Sequence, residues 1–315
     1  LKRVSKGAEW FRENASRFEG QLLFDEPLSK HSYYRIGGPA KIVAVPKSRQ
    51  DLFFLAEGIA ATGTNFFVLG LGSNILVSDS GYGGLIIKAS RINLEIEPSE
   101  VSESELTLRT GASVAVSSLL RRASAEGWGG LEFLTGVPGS IGGVVTMNAG
   151  THLGEASGRL RAVEVLLIRK GRLESARFES DELKYSYRRN SYLPSGCVVW
   201  AAEWKISRES SEKVKAAINE TLARRKATQP IDLPSCGSVF KNPKSSGRSA
   251  WQVVDQLGLR GHRIGGAQFS EKHSNFIVNC GDASASDVKA LIDLAKSRAL
   301  SELGIQLEEE VIYLS

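Results

Sequence analysis

The chain has 315 residues, with 40 Lys and Arg against 35 Asp and Glu, a formal net charge of +5, and 42% hydrophobic and 24% charged residues. That length predicts two domains, and a mean hydropathy of -0.14 without an apolar run near the roughly 20 residues of a membrane-crossing helix excludes a helical integral membrane protein. The charge favours anionic partners but is too small to select among nucleic acid, a membrane surface and phosphorylated small molecules.

Residues 10–19 and 50–62 carry helical periodicity, the second running into Phe66-Phe67-Val68-Leu69 and Gly70 as a helix followed by a strand. The polar N-terminal stretch lacks the apolar core of a signal peptide, so a cytoplasmic location is expected. Short strands are predicted at 75–78, 84–88, 93–96 and 105–109, and Ser113–Glu126 reads as an amphipathic helix. Val163–Ile168 and Leu173–Phe178 flank Lys170-Gly171 as a hairpin, and Val198–Ile206 adds a strand that closes a first domain, residues 1–206.

A polar break at 207–211 opens the second domain, residues 207–315, with a charged helix over Glu212–Thr228. A short helix near 251–257, a strand near 274–279, a long helix over 286–303 with Asp282 and Ser284 as candidate caps, and a terminal strand Ile305–Leu314 follow. Regular βαβ alternation is missing, so the fold class is α+β rather than doubly wound. Cys197, Cys236 and Cys280 are far apart with no C-x-x-C pair, and His31, His152, His262 and His273 never fall four residues apart, so no metal site is expected.

Gly70-Leu71-Gly72-Ser73-Asn74 lies between two strand-like runs. Glycines let main-chain N–H groups converge on an anion, and Ser and Asn add neutral donors, as a diphosphate requires; a plain glycine turn is the alternative. The Rossmann fingerprint is excluded because Ile75-Leu76-Val77 reads as a strand where that motif needs a helix. A second cluster, Gly136-Val137-Pro138-Gly139-Ser140-Ile141-Gly142-Gly143, lets backbone lie flat against a bulky ligand, and two such loops point to a long one. Arg35-Ile36-Gly37-Gly38 places a cation beside a third glycine pair.

Six motifs in order then resemble the UDP-N-acetylenolpyruvoylglucosamine reductase family over about His31 to Val311. They are Tyr34-Arg35-Ile36-Gly37-Gly38, the 70–74 loop, Gly136 to Gly143 with Met147-Asn148-Ala149-Gly150, Tyr187-Arg188, Gly237-Ser238-Val239-Phe240-Lys241-Asn242-Pro243, and Leu307-Glu308-Glu309-Glu310-Val311. The resemblance implies a p-cresol methylhydroxylase-type FAD domain followed by a smaller α+β substrate domain, and NADPH-dependent reduction of UDP-N-acetylglucosamine enolpyruvate to UDP-N-acetylmuramate in peptidoglycan precursor synthesis. It implies that Arg35, Gly70, Gly72, Ser73, Asn74, Gly136, Pro138, Gly139, Ser140, Gly142 and Gly143 hold FAD.

The resemblance also implies that Ser238 protonates C2 of the substrate while Arg188 and Glu310 stabilise the developing aci-carboxylate, with Tyr187, Asn242 and Gln268 as substrate contacts. Ser238 alone reads equally as a turn-capping serine, and Glu308-Glu309-Glu310 as a solvated charge run. Where the family has Ser two residues after its arginine, this chain has Arg189-Asn190-Ser191, so Arg189 competes with Arg188. The short stretch from Arg188 to Ser238 matches the shorter-loop branch of the family. His273 reads as structural, and Lys226 as a solvated helical residue or a UDP phosphate contact.

Two other readings compete. An alcohol or lactone oxidase on the same scaffold often tethers FAD through His or Cys, for which His31 and His152 are the nearest candidates. A nucleic-acid-binding protein has Arg224-Arg225-Lys226 in its favour but no recognisable binding motif, so neither a nucleic-acid partner nor an obligate protein partner is expected.

Overall fold

Helix boundaries in the computed structural model, which describes residues 6–190, 192–243 and 247–315 apart from the Arg189 side chain, follow capping chemistry. Helix α1 (Lys6–Glu13) ends where the Asn14 carboxamide donates to the Trp10 carbonyl at 2.9 Å, and a 3-10 turn, Ala15–Arg17, replaces the continuous helix expected to residue 19. Helix α2 (Arg49–Thr62) starts at Ser48, whose hydroxyl accepts the Asp51 N–H, and stops at Gly63 with φ 66°. Helix α3 (Val116–Glu126) begins later than Ser113, because the Ser113 hydroxyl is buried and accepts the N–H groups of Ile92 and Asn93. Helices α4 (Ile141–Met147) and α5 (Ser211–Thr228) complete the N-terminal set.

Contacts divide the chain into two compact units, the first running to Asp25 and then over Lys41–Leu71 and Gly84–Ala223. Its smaller sheet has the order Gln21–Pro27, Pro39–Val45, Tyr82–Lys88, Phe66–Leu69, the last two parallel. Phe66–Leu69 thereby delivers the chain into Gly70. The larger sheet is antiparallel in the order Arg172–Glu179, Leu160–Arg169, Cys197–Arg208, Glu105–Gly111, Ile96–Glu100. Its hairpin turns at Lys170 and Gly171, both at positive φ (47° and 76°), the twist a two-residue turn needs. The strand expected at 93–96 begins only at Ile96, since the Asn93 side chain accepts the Glu95 N–H and donates to the Trp200 carbonyl. Trp204, fully buried, shares one core with Leu119, Leu134 and Val163 and satisfies its indole N–H on Thr110 at 2.8 Å.

The second unit comprises Glu26–Ala40, Gly72–Gly83 and Arg224–Ser315. Helices α6 (Ala250–Gln256) and α7 (Ala285–Leu303) share a core with Phe240, Phe269, Ile277 and Tyr34. Helix α7 is capped by Ser284 and Asp287 in a reciprocal box, not by Asp282, and ends at Gly304. The strand expected over Ile305–Leu314 is confined to Ile312–Leu314, which runs parallel to Ile75–Val77; Ile305 instead donates to the Ala299 carbonyl and closes α7. Among the described residues no helix is long and apolar enough to cross a membrane.

Candidate active site

In the second unit, Gly237 takes φ 78°, a left-handed conformation that turns the chain sharply just before Ser238. Upstream of that turn the Cys236 thiol, fully buried, donates to the Ile75 carbonyl at 2.8 Å, and burial pushes it well above the usual thiol range, so it acts as an anchor and not a nucleophile. Downstream, Val239 and Phe240 enter a short ladder with the acidic run. Glu310 N–H donates to the Val239 carbonyl at 2.8 Å, Lys241 N–H donates to the Glu308 carbonyl at 2.9 Å, and Phe240 and Glu309 form an antiparallel bridge.

The three consecutive glutamates are thereby distinguished. Glu308 faces Lys241 at 3.6 Å and Glu309 pairs with Lys296 of α7 at 2.7 Å, while Glu310, half-buried, sits in the ladder beside the Ser238 segment. The strand that follows is fixed in register by Ile312↔Ile75 pairing, and the Asn74 carboxamide donates to the Glu310 carbonyl at 3.1 Å. Asn74, read from sequence as a diphosphate contact, therefore also ties the first glycine loop to the acidic strand.

In the first unit, Arg188 has φ 54°, rare for a residue with a side chain, and its guanidinium is 14% exposed. It donates to the carbonyls of Asn148 (3.3 Å) and Gly150 (2.9 Å) and to the Glu155 carboxylate (3.3 Å), and it lies over the Tyr187 ring at 5.0 Å. Asn148, buried and at φ 45°, holds the same Glu155 at 2.9 Å. The Met147-Asn148-Ala149-Gly150 motif is thus the seat of Arg188, and Glu155 is a residue that spacing gave no means of finding. The Arg189 side chain and Ser191, the other readings of this motif, lie outside the described residues.

Gly70, which opens the first glycine loop, meets the second loop within the first unit. A Cβ built on Gly70 would stand 2.9 Å from the Ser140 hydroxyl, and Ser140, just before α4, bridges Ala115, just before α3. Gly136 and Gly139 are at positive φ (72° and 123°), and a Cβ on Gly143 would find its nearest neighbour, Ser140, only at 4.0 Å. Among the described residues none accepts the main-chain N–H of Leu71 or Gly72, and the buried Thr135 hydroxyl has no hydrogen-bond partner. Glycines with room for a neighbour and main-chain donors without partners fit the needs of a flavin dinucleotide and its diphosphate. Pro138 lies on the same loop and Gly142 in the first turn of α4.

Other predicted contacts carry internal partners. Gly72 lets the loop pass the His31 carbonyl, which a Cβ would approach to 2.1 Å. Gly37 and Gly38 allow close packing on Val77 and Asp79, with Arg35 exposed at φ 57°. Asn242 accepts the Ala250 N–H at 2.9 Å, and Gln268 donates to the Gly261 carbonyl at 3.0 Å. His273, its ring facing Trp251 and Phe276, is pushed below the usual imidazole range by burial and accepts the Asn275 N–H. Lys226 contributes its carbonyl to Lys272. Among the described residues no three His, Cys, Asp or Glu side chains converge as metal ligands do.

Residues 40–177 match the family model of an FAD binding domain, so the first glycine-rich half defines the chain as a flavoprotein of the p-cresol methylhydroxylase type. Residues 229–314 match the model described as UDP-N-acetylenolpyruvoylglucosamine reductase, C-terminal domain. Relatives bearing that reductase name are 41% identical over 93% of this chain and 93% of theirs in Trichlorobacter lovleyi, and 38% identical over 93% and 95% in Pelobacter propionicus. The crystal structure of the reductase (MurB) from Thermus caldophilus superposes with a TM-score of 0.76 at 32% identity, covering 94% of this chain and 99% of that one. The chain belongs to the UDP-N-acetylenolpyruvoylglucosamine reductase family. The oxidase and nucleic-acid readings give way to it.

Proposed function

We propose that this chain reduces UDP-N-acetylglucosamine enolpyruvate to UDP-N-acetylmuramate with NADPH as reductant, in the cytoplasm, supplying the peptidoglycan synthesis on which cell shape and division depend. FAD, when bound, would supply the redox chemistry that links NADPH oxidation to hydride addition at C3 of the enolpyruvyl ether. The glycine loops at 70–74 and 136–143, with Arg35, would hold FAD, within residues 1–206. Residues 207–315 take the sugar nucleotide, with Asn242 and Gln268 as contacts; Tyr187 joins them from the N-terminal part.

Hydride arrival at C3 builds negative charge on C2 and the adjoining carboxylate. Arg188 pairs with that carboxylate, and Glu310, when protonated, donates a hydrogen bond to it. The Ser238 hydroxyl gives its proton to C2, which the carbanionic enol is basic enough to take, and is reprotonated from solvent. The observation that carries this reading is the strand ladder joining the Ser238 segment to Glu310, which sets a hydroxyl and a carboxyl into one rigid element. Its test is anaerobic reduction by NADPH followed by addition of the enolpyruvyl sugar nucleotide: bleaching and then recovery of flavin absorbance are expected, and no recovery refutes the assignment.

A further inference from the structure

The backbone around Ser238 is held on one edge by a single residue. Asn275, 4% exposed, accepts the Val239 N–H on its main-chain carbonyl at 2.8 Å. Its side-chain oxygen accepts the Phe240 N–H at 3.0 Å, and its side-chain nitrogen donates to the Phe240 carbonyl at 2.9 Å. On the opposite edge the Val239 carbonyl takes the Glu310 N–H. All four main-chain polar groups of Val239 and Phe240 are therefore satisfied by Asn275 and Glu310 alone.

Phe240 is 1% exposed, so water cannot replace these partners, and its ring is locked in the core. The carboxamide of Asn275 acts here as a detached peptide unit, completing a strand where no third strand runs. It is itself immobilised: its N–H donates to His273, and the preceding Ser274, fully buried, donates its hydroxyl to the Trp251 carbonyl of α6 at 2.8 Å.

We infer that Asn275 is a positioning residue for the proton donor, its carboxamide clamping the Phe240 peptide so that Ser238 and Glu310 keep a fixed separation. This rests on the proposed reduction. Because proton transfer tolerates little displacement, loosening the clamp slows the step that uses Ser238 and leaves the step that does not.

Asn275→Asp keeps the shape and the acceptor for the Phe240 N–H but sets oxygen against the Phe240 carbonyl, and Asn275→Ala removes both bonds. With each holoenzyme, flavin reduction by NADPH is expected to stay within about twofold, while reoxidation by the enolpyruvyl sugar nucleotide slows by about 10- to 100-fold, less in Asp than in Ala. Amide hydrogen exchange at Phe240, read without turnover, is expected to quicken in the same order. Reoxidation at the wild-type rate in both variants, or equal slowing of both half-reactions, overturns the role of Asn275 alone. A wild-type protein that NADPH reduces but the sugar nucleotide cannot reoxidise overturns the proposed function and the inference with it.

Discussion

The N–H of Glu310 donates to the carbonyl of Val239 at 2.8 Å, so the carboxyl-bearing strand and the residue next to Ser238 move as one. Removing only the hydroxyl in Ser238→Ala disturbs none of those main-chain bonds. Reduction by NADPH is therefore expected at the wild-type rate, with reoxidation by the enolpyruvyl substrate slowed by about 10²- to 10⁴-fold, the usual worth of a positioned general acid. Stopped-flow absorbance of the two half-reactions decides it; equal rates with and without the hydroxyl remove Ser238 from proton transfer.

Arg188 is held by two carbonyls and one carboxylate in a conformation its backbone resists. Arg188→Ala should slow reoxidation by about 10²- to 10³-fold, the cost of one electrostatic contact to developing charge. Glu155→Gln leaves the carbonyl contacts and the Asn148 partner in place, so its loss should be smaller, about 10-fold by loosened orientation. A Glu155→Gln defect as large as that of Arg188→Ala, measured in single turnover, would mean that the carboxylate does more than orient the guanidinium.

Gly143 lies within α4, and in the protein alone its Cβ position has room. Gly143→Ala is expected to raise the thermal midpoint of the FAD-free protein, since alanine in a helix gains about 0.5–1 kcal/mol over glycine. If the flavin lies across that glycine, the same methyl group weakens FAD binding by tenfold or more, about 1.4 kcal/mol. Fluorescence titration with FAD and a melting curve on one sample separate the effects; unchanged FAD affinity would place the cofactor elsewhere.

Much of this architecture is legible in the chain itself. Lys170-Gly171 specifies its hairpin because both residues take positive φ there, and Ser284 its helix start because Asp287 answers it. The glycine loops are legible as motifs, because backbone exposure is a property of residue type. The partners that fix the site are not: Asn275 reaches Phe240, Asn74 reaches Glu310 and Cys236 reaches Ile75 across 35, 236 and 161 positions. Such contacts arise from topology, and no local periodicity encodes them. The misplaced helix end at Glu13 and strand start at Ile96 have a more local cause: the Asn14 carboxamide bonds main chain four residues back and that of Asn93 main chain two residues on, while Asn93 also reaches Trp200.

Helix α7 rests on two aspartates whose ionisation contributes to the stability of the second unit. Burial works against the Asp79 charge, but the Ser286 hydroxyl and the N–H groups of Ala285 and Ser286 outweigh it and hold the carboxyl below its ordinary value. Asp287 is lowered by the Ser284 N–H, against a smaller cost of burial, with help from the Gly266 N–H and the Ser284 hydroxyl. A lowered folded-state pKa contributes stability that is complete above the unfolded value, about 3.9, and is lost as pH falls through the folded one. Asp79→Ala should therefore cost about 1 kcal/mol near neutrality, as loss of a helix cap does, and progressively less below about pH 4, as the carboxyl is protonated first in the unfolded chain and, at lower pH, in the folded one. Urea unfolding of both proteins at pH 7 and pH 3 measures the gap; a gap of constant size would show that Asp79 supports α7 by shape and not by charge.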